Sequence, residues 1–131
     1  MIIGFTGTQG KISDRATCYL SKLFIALKDM GATELHHGDC IGADTIAHRL
    51  WGSKTVIHPP IDNGRRSFCV GRETKYVSAK PFIERNHDIV DACQVLVACP
   101  RTMREEIRSG TWATVRYARK LGKIVFIVSE R

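Results

Sequence analysis

Apolar positions fall along this chain in two alternating rhythms. Short runs of consecutive apolar or β-branched residues are separated by longer stretches in which apolar side chains recur every three or four positions. Ile2 to Thr6 is the first short run and predicts a strand. Ser13 or Asp14 then caps a helix reaching Met30, with Ala16, Leu20, Leu23, Phe24 and Leu27 on one face and Gly31 as its stop. Thr33 to His37 reads as a second strand, Ala43 to Trp51 as a helix ended by Gly52, and Lys54 to His58 as a third strand halted by Pro59 and Pro60. Residues 61–80 are irregular, with Asn63-Gly64, Arg65-Arg66 and Gly71 and few periodic apolar positions. A helix resumes from Pro81 to Ala92, followed by a strand from Gln94 to Cys99 and a charged loop from Pro100 to Arg108. Ser109 caps the last helix, which runs through Leu121 to its stop at Gly122, and Lys123 to Val128 is the final strand.

Strands that alternate with helices predict a mainly parallel sheet with right-handed crossovers. The expected fold class is therefore α/β, a Rossmann-like three-layer domain with about five strands, spanning residues 1–131 as one unit. The first, fourth and fifth of these strands are apolar on consecutive positions, the pattern of strands covered on both faces. A structureless stretch as long as residues 61–80 is commonly a functional loop.

Composition narrows the class of protein. With 44% hydrophobic and 25% charged residues, the chain is of ordinary globular composition. It has no apolar run long enough to cross a membrane. Met1-Ile2-Ile3-Gly4-Phe5 lacks the basic flank of a signal peptide, so a cytoplasmic location and no membrane partner are expected. The five cysteines are odd in number and include no Cys-x-x-Cys pair, which argues against a zinc ribbon or a disulfide framework. Cys18, Cys93 and Cys99 read as small buried apolar residues, and Cys40 as a bystander in a ligand loop. The net charge of +7 favours anionic partners such as nucleotides, phosphorylated metabolites or nucleic acid. The basic excess is strongest from Arg101 onward, but aromatic residues suited to base stacking are not interleaved with it.

Four segments carry the candidate chemistry: Gly4-Phe5-Thr6-Gly7-Thr8, Gly38-Asp39-Cys40-Ile41-Gly42-Ala43-Asp44, Glu84-Arg85-Asn86-His87-Asp88 and Arg108-Ser109-Gly110-Thr111. In an open α/β sheet, the loops at the carboxyl ends of the strands line one crevice. Glycine admits close approach of backbone N–H groups, and a helix N-terminus adds a positive dipole end. Gly7, Thr8, Gly38, Asp39, Gly42, Asp44, Asn86, Ser109, Gly110 and Thr111 are the expected binding residues for a phosphate-bearing molecule. Arginine offers a planar fork for phosphate, and Asp44 is placed either to hold a ribose hydroxyl or to fix its turn. His48 lies one helical turn from Asp44 and reads as a supporting or core histidine, while His36, His37 and His58 show no metal-ligand spacing. Neither Gly-x-x-x-x-Gly-Lys-Ser/Thr nor Gly-x-Gly-x-x-Gly occurs, and no metal or cofactor is expected.

In order and spacing these motifs resemble the SLOG superfamily, which joins the DNA-processing protein DprA (Smf), the LOG phosphoribohydrolases and the small YpsA/YspA-like proteins. Gly38-x-x-x-Gly42-Ala43-Asp44-x-x-Ala47-His48 looks like the DprA glycine loop, and Arg85-Asn86 like the Arg-Asn of DprA and YspA-like chains. Ser109-Gly110-Thr111 stands where DprA has Ser-Gly-Ser/Thr and LOG has Gly-Gly-x-Gly-Thr, and the closing Ala118-Arg-Lys-Leu-Gly122-Lys-Ile-Val also matches.

The resemblance implies a nucleotide-type ligand at the strand carboxyl ends, and related proteins suggest a homo-oligomer, a dimer or tetramer. LOG enzymes cleave the N-glycosidic bond of nucleoside 5′-monophosphates, so an N-glycosidase acting on a nucleotide or its derivative is the implied enzyme. Arg85 answers to the LOG arginine, whereas the LOG glutamate falls on Thr114. A displaced carboxylate, Glu84 or Glu73, then becomes the expected catalytic partner of Arg85. The alternatives are a non-catalytic sensor or sponge for a nucleotide signal and a DprA-like single-stranded nucleic-acid binder.

Overall fold

The computed structural model describes residues 1–128. In chain order its elements are β1 (Ile2–Gly7), α1 (Asp14–Asp29), β2 (Glu34–His37), α2 (Ala43–Trp51), β3 (Thr55–Ile57), β4 (Thr74–Tyr76), α3 (Phe82–Ala92), β5 (Val95–Cys99), α4 (Gly110–Lys120) and β6 (Ile124–Ile127). The strands form one sheet in the order β4-β3-β2-β1-β5-β6, and every pairing is parallel. This is the expected α/β Rossmann-like three-layer arrangement, with six strands where the sequence predicts five.

The additional strand, β4, lies inside the stretch read as a loop. It is three residues long and sits at the sheet edge, with Lys75 and Tyr76 exposed. A strand that pairs through its backbone but buries little side chain leaves no apolar periodicity to read.

The two capping serines act as the sequence predicts. Ser13 accepts from the Ala16 amide at 3.1 Å and Ser109 from the Trp112 amide at 3.2 Å. One face of the sheet (Ile3, Phe5, Leu35, Val95, Val97) packs on α1 and α2 through Leu20, Phe24, Leu27 and Trp51. The other face packs on α3 and α4, where Leu96 and Ala98 meet Val90, Trp112 and Val115. The final strand departs from expectation. Ile124 and Phe126 are 59% and 40% exposed, because β6 is an edge strand and α1 and α2 do not reach over it. Cys18 is also exposed, on the outer side of α1, whereas Cys93 and Cys99 are buried as predicted.

From β1 the chain winds through β2, β3 and β4 to one side, then crosses back to β5 and β6 on the other. Loops leaving β1 and β5 therefore diverge and open a crevice at the strand carboxyl ends. No helix among the described residues is long and apolar enough to cross a membrane.

Candidate functional site

A cavity of about 440 Å³ fills that crevice. Its walls come from the end of β1 (Phe5 to Thr8, then Gln9), the β2–α2 turn (Gly38, Cys40, Asp44), α3 (Arg85, Asn86, Ile89) and the loop into α4 (Arg101, Glu106 and Arg108 to Thr111).

The β2–α2 turn is built by two unusual backbone positions. Gly42 has φ 90°, and a β-carbon there would stand 2.6 to 2.7 Å from backbone atoms of Thr8 and Gln9. Only glycine lets the two turns touch, and the Ala43 amide completes the contact by donating to the Thr8 carbonyl at 2.9 Å. Gly42 is thus a scaffold residue behind the cavity and not on its wall. Asp39, at φ 60° and fully buried, also lies outside the wall. Its carboxylate accepts from the Cys69 amide at 2.9 Å and from Arg66 Nε at 2.8 Å, and so ties residues 66–69 to the turn.

Asp44 does reach the cavity. Its Oδ2 accepts from the Cys40 amide at 3.0 Å and closes the turn, while its Oδ1 is buried with no hydrogen-bond partner among the described residues. Burial raises its carboxyl to about 6, against the opposing pull of the Cys40 amide and the Arg85 guanidinium. A buried polar atom without a partner costs stability, and its place on a cavity wall makes it a candidate ligand contact.

Arg85 is buried, not a surface arginine. Its Nη1 donates to the carbonyls of Gly38 at 2.5 Å and His58 at 3.2 Å, its Nε to Asn86 Oδ1 at 2.7 Å, and its Nη2 to Cys40 Sγ at 3.7 Å. Those contacts engage four of the five guanidinium N–H groups, which leaves one on Nη2 for a ligand. No carboxylate bonds the guanidinium among the described residues, so its charge bears on the cavity. Cys40 sits beside it, and burial pushes that thiol up, away from a reactive thiolate.

Across the cavity, α4 begins at Gly110 and Thr111. Their amides have no hydrogen-bond partner among the described residues, as expected for the first turn of a helix. Arg108 adds a cation beside them. Glu106 places a carboxylate on the same wall, held at 2.7 Å by Arg101.

Nine of the twelve site residues expected from sequence line the cavity: Gly7, Thr8, Gly38, Asp44, Arg85, Asn86, Ser109, Gly110 and Thr111. Asp39 and Gly42 support it from behind. Glu84 is exposed and stands off the wall, and Glu73 lies off it as well, beside β4. The carboxylates on the wall are Asp44 and Glu106. Arg101 joins the wall without a sequence signal of its own, whereas Arg108 heads the fourth candidate segment and Glu106 is a candidate acid or base in the same charged loop, which follows an apolar strand as crevice loops do. Thr114, at the LOG glutamate position, is buried off the wall and spends its hydroxyl on the Gly110 carbonyl at 2.8 Å.

Behind Asp39 runs a fully assigned histidine relay. The Asp39 amide donates to His37 Nδ1 at 2.9 Å, so Nε2 of His37 carries the proton and donates to His48 Nδ1 at 3.0 Å. His48 Nε2 then donates to the Val70 carbonyl at 2.9 Å. His37, His48 and Cys69 have metal-ligand proximity, but the imidazole nitrogens are spent on this relay and burial raises the Cys69 thiol to about 11. The relay fastens residues 61–80 to the turn from a second side.

No family model matches the chain, and no curated protein matches it. Solved structures do. The X-ray structure of the structural-genomics target TM1055 superposes with a TM-score of 0.69 at 17% identity, over 95% of this chain and 71% of that one. A molybdenum cofactor binding protein from the phototrophic bacterium Rippkaea orientalis superposes with a TM-score of 0.70 at 22% identity, over 96% of this chain and 74% of that one. These likenesses establish the fold of this chain.

Proposed function

We propose that this SLOG-like chain binds a 5′-phosphorylated nucleoside in the crevice between β1 and β5. The phosphate rests on the Gly110 and Thr111 amides beside Arg108, and the sugar hydroxyls donate to Asp44 Oδ1, with Arg85 charging the wall between them. One observation carries the reading: a buried carboxylate oxygen without a partner among the described residues stands on the same cavity wall as an open helix N-terminus. The neighbour described as a molybdenum cofactor binding protein also takes a small-molecule ligand. The ligand class proposed for this chain rests on its own residues.

The shifted carboxyl of Asp44 favours a second step, hydrolysis of the N-glycosidic bond. A carboxyl held at about 6 is available in both protonation states near neutral pH, and it sits where a sugar would bind. Asp44 thus takes the role first expected of Glu84.

Incubation with a panel of ribo- and deoxyribonucleoside monophosphates, followed by mass spectrometry of retained nucleotide and free base, tests both steps. Retention that disappears in Asp44→Ala supports the site, and failure to retain any member of the panel defeats it. Free base released by the wild type but not by Asp44→Asn assigns hydrolysis. Retention with intact ligand leaves the protein a nucleotide sensor or sponge.

A further inference from the structure

Among the described residues, only Asp39 and Phe68 combine a side chain with positive φ. Asp tolerates that conformation, and phenylalanine rarely adopts it. At φ 58° Phe68 is held by a clamp that Asp39 supplies. The Asp39 carbonyl accepts from the Ser67 amide at 2.7 Å, and its two carboxylate oxygens accept from the Cys69 amide and from Arg66 Nε. Strain of this kind persists only where the surroundings enforce it, and it concentrates at working sites. Here the clamp holds an aromatic ring 55% exposed.

The ring is also backed from one side. The Arg66 guanidinium, fixed by the buried Asp39, lies 4.5 Å from the Phe68 centroid. An aromatic ring held rigid on one face and open to solvent elsewhere is a surface for a planar partner. Its position relative to the cavity names that partner. Arg66 pairs with Cys40 in an antiparallel bridge, and the Ile41 amide donates to the Arg65 carbonyl at 2.9 Å. Cys40 belongs to the cavity wall and its amide holds Asp44. Phe68 itself lies off the cavity wall, on the segment that pairs with the turn carrying Asp44, so the part of a nucleotide it would meet is a base reaching out beyond the sugar.

We propose that Phe68, backed by Arg66, is the stacking platform for the base of the bound nucleotide. The proposal rests on the nucleotide reading above and adds the residue that distinguishes a nucleotide from a bare sugar phosphate. It makes residues 61–72 part of the ligand site, which gives the loop expected from sequence to be functional a specific role.

The test compares adenosine 5′-monophosphate with ribose 5-phosphate by calorimetry, on wild type, Phe68→Asn and Phe68→Trp. Asparagine accepts the left-handed backbone without the ring, so the clamp survives and thermal stability holds. Removing the platform weakens adenosine monophosphate binding about tenfold. Ribose 5-phosphate binding stays the same in all three proteins, and Phe68→Trp keeps the wild-type preference. Unchanged adenosine monophosphate affinity in Phe68→Asn overturns the platform while leaving the nucleotide site intact. Equal losses for both probes overturn it too, because a structural effect then explains them. If the wild type binds neither probe, the nucleotide reading itself falls and takes the platform with it.

Discussion

A β-carbon on Gly38 would stand 2.2 Å from Nη1 of Arg85 and 2.5 Å from its Cζ. The guanidinium occupies the space that the missing side chain leaves, and that is how a buried cation reaches the cavity wall. Gly38→Ala should therefore evict it and break its bonds to the Gly38 and His58 carbonyls. We expect a loss of about 1–3 kcal/mol in urea unfolding, the usual range for overpacking, together with loss of nucleotide retention. An unchanged urea midpoint would show that the guanidinium swings aside freely.

Asp44 should cost the unliganded protein stability at neutral pH. Its folded pKa, about 6, lies above the unfolded 3.8, so its contribution is complete below pH 3.8 and is lost as the pH rises through about 6. Above that, the buried carboxylate costs about 3 kcal/mol. Asp44→Asn should thus raise stability at pH 7.5 towards that amount while abolishing base release, which chemical denaturation and mass spectrometry together would reveal. A destabilised variant would mean that the carboxylate is compensated in the free protein.

His37 runs the opposite way. Burial lowers it from 6.5 to about 3, so its contribution is present above pH 6.5 and is lost as the pH falls from there towards 3. Between pH 6.5 and 5 it alone removes about 1.6 kcal/mol, and protonation of Asp44 returns about three quarters of that. Urea midpoints at pH 7 and pH 5 should show a net fall, steeper in Asp44→Asn, where nothing is returned. Equal slopes in the two proteins would contradict this linkage.

The Asp39 clamp should be separable from the rest of the fold. Asp39→Asn keeps a residue that accepts φ 60° but removes the charge that holds Arg66 at 2.8 Å. A charge-assisted hydrogen bond is worth about 2 kcal/mol, and amide hydrogen exchange should quicken at residues 66–69 before it does in β1 or β5. Uniform acceleration would mean that the clamp is inseparable from the global fold.

The site was partly legible because its backbone chemistry is local. Ser109-Gly110-Thr111 announces a capped helix start wherever it occurs, and Gly38 and Gly42 mark a tight turn after an apolar strand. What hid was partnership. Arg85 and Glu84 are neighbours in sequence with similar claims to catalysis, yet one is buried on the wall and the other points to solvent. Helix rotation decides which, and α3 turns Arg85, Ile89 and Val90 inward. Asp39 reads as a ligand contact in a glycine loop, but its partners Arg66 and Cys69 come from a segment without periodicity, so nothing local could assign it to them.

The sequence alone determined the alternation of strand and helix, the capping serines, the glycine stops and the four turns facing one crevice, because these depend on contacts within a few residues. Only the tertiary structure decided that β4 exists, that β6 lies bare on one face, that Arg85 rather than Glu84 meets the cavity, and that Phe68 is held outward at a positive φ by Asp39. Each of these depends on which distant segment arrives next to which, and burial, charge compensation and backbone strain acquire their values only once the chain has closed.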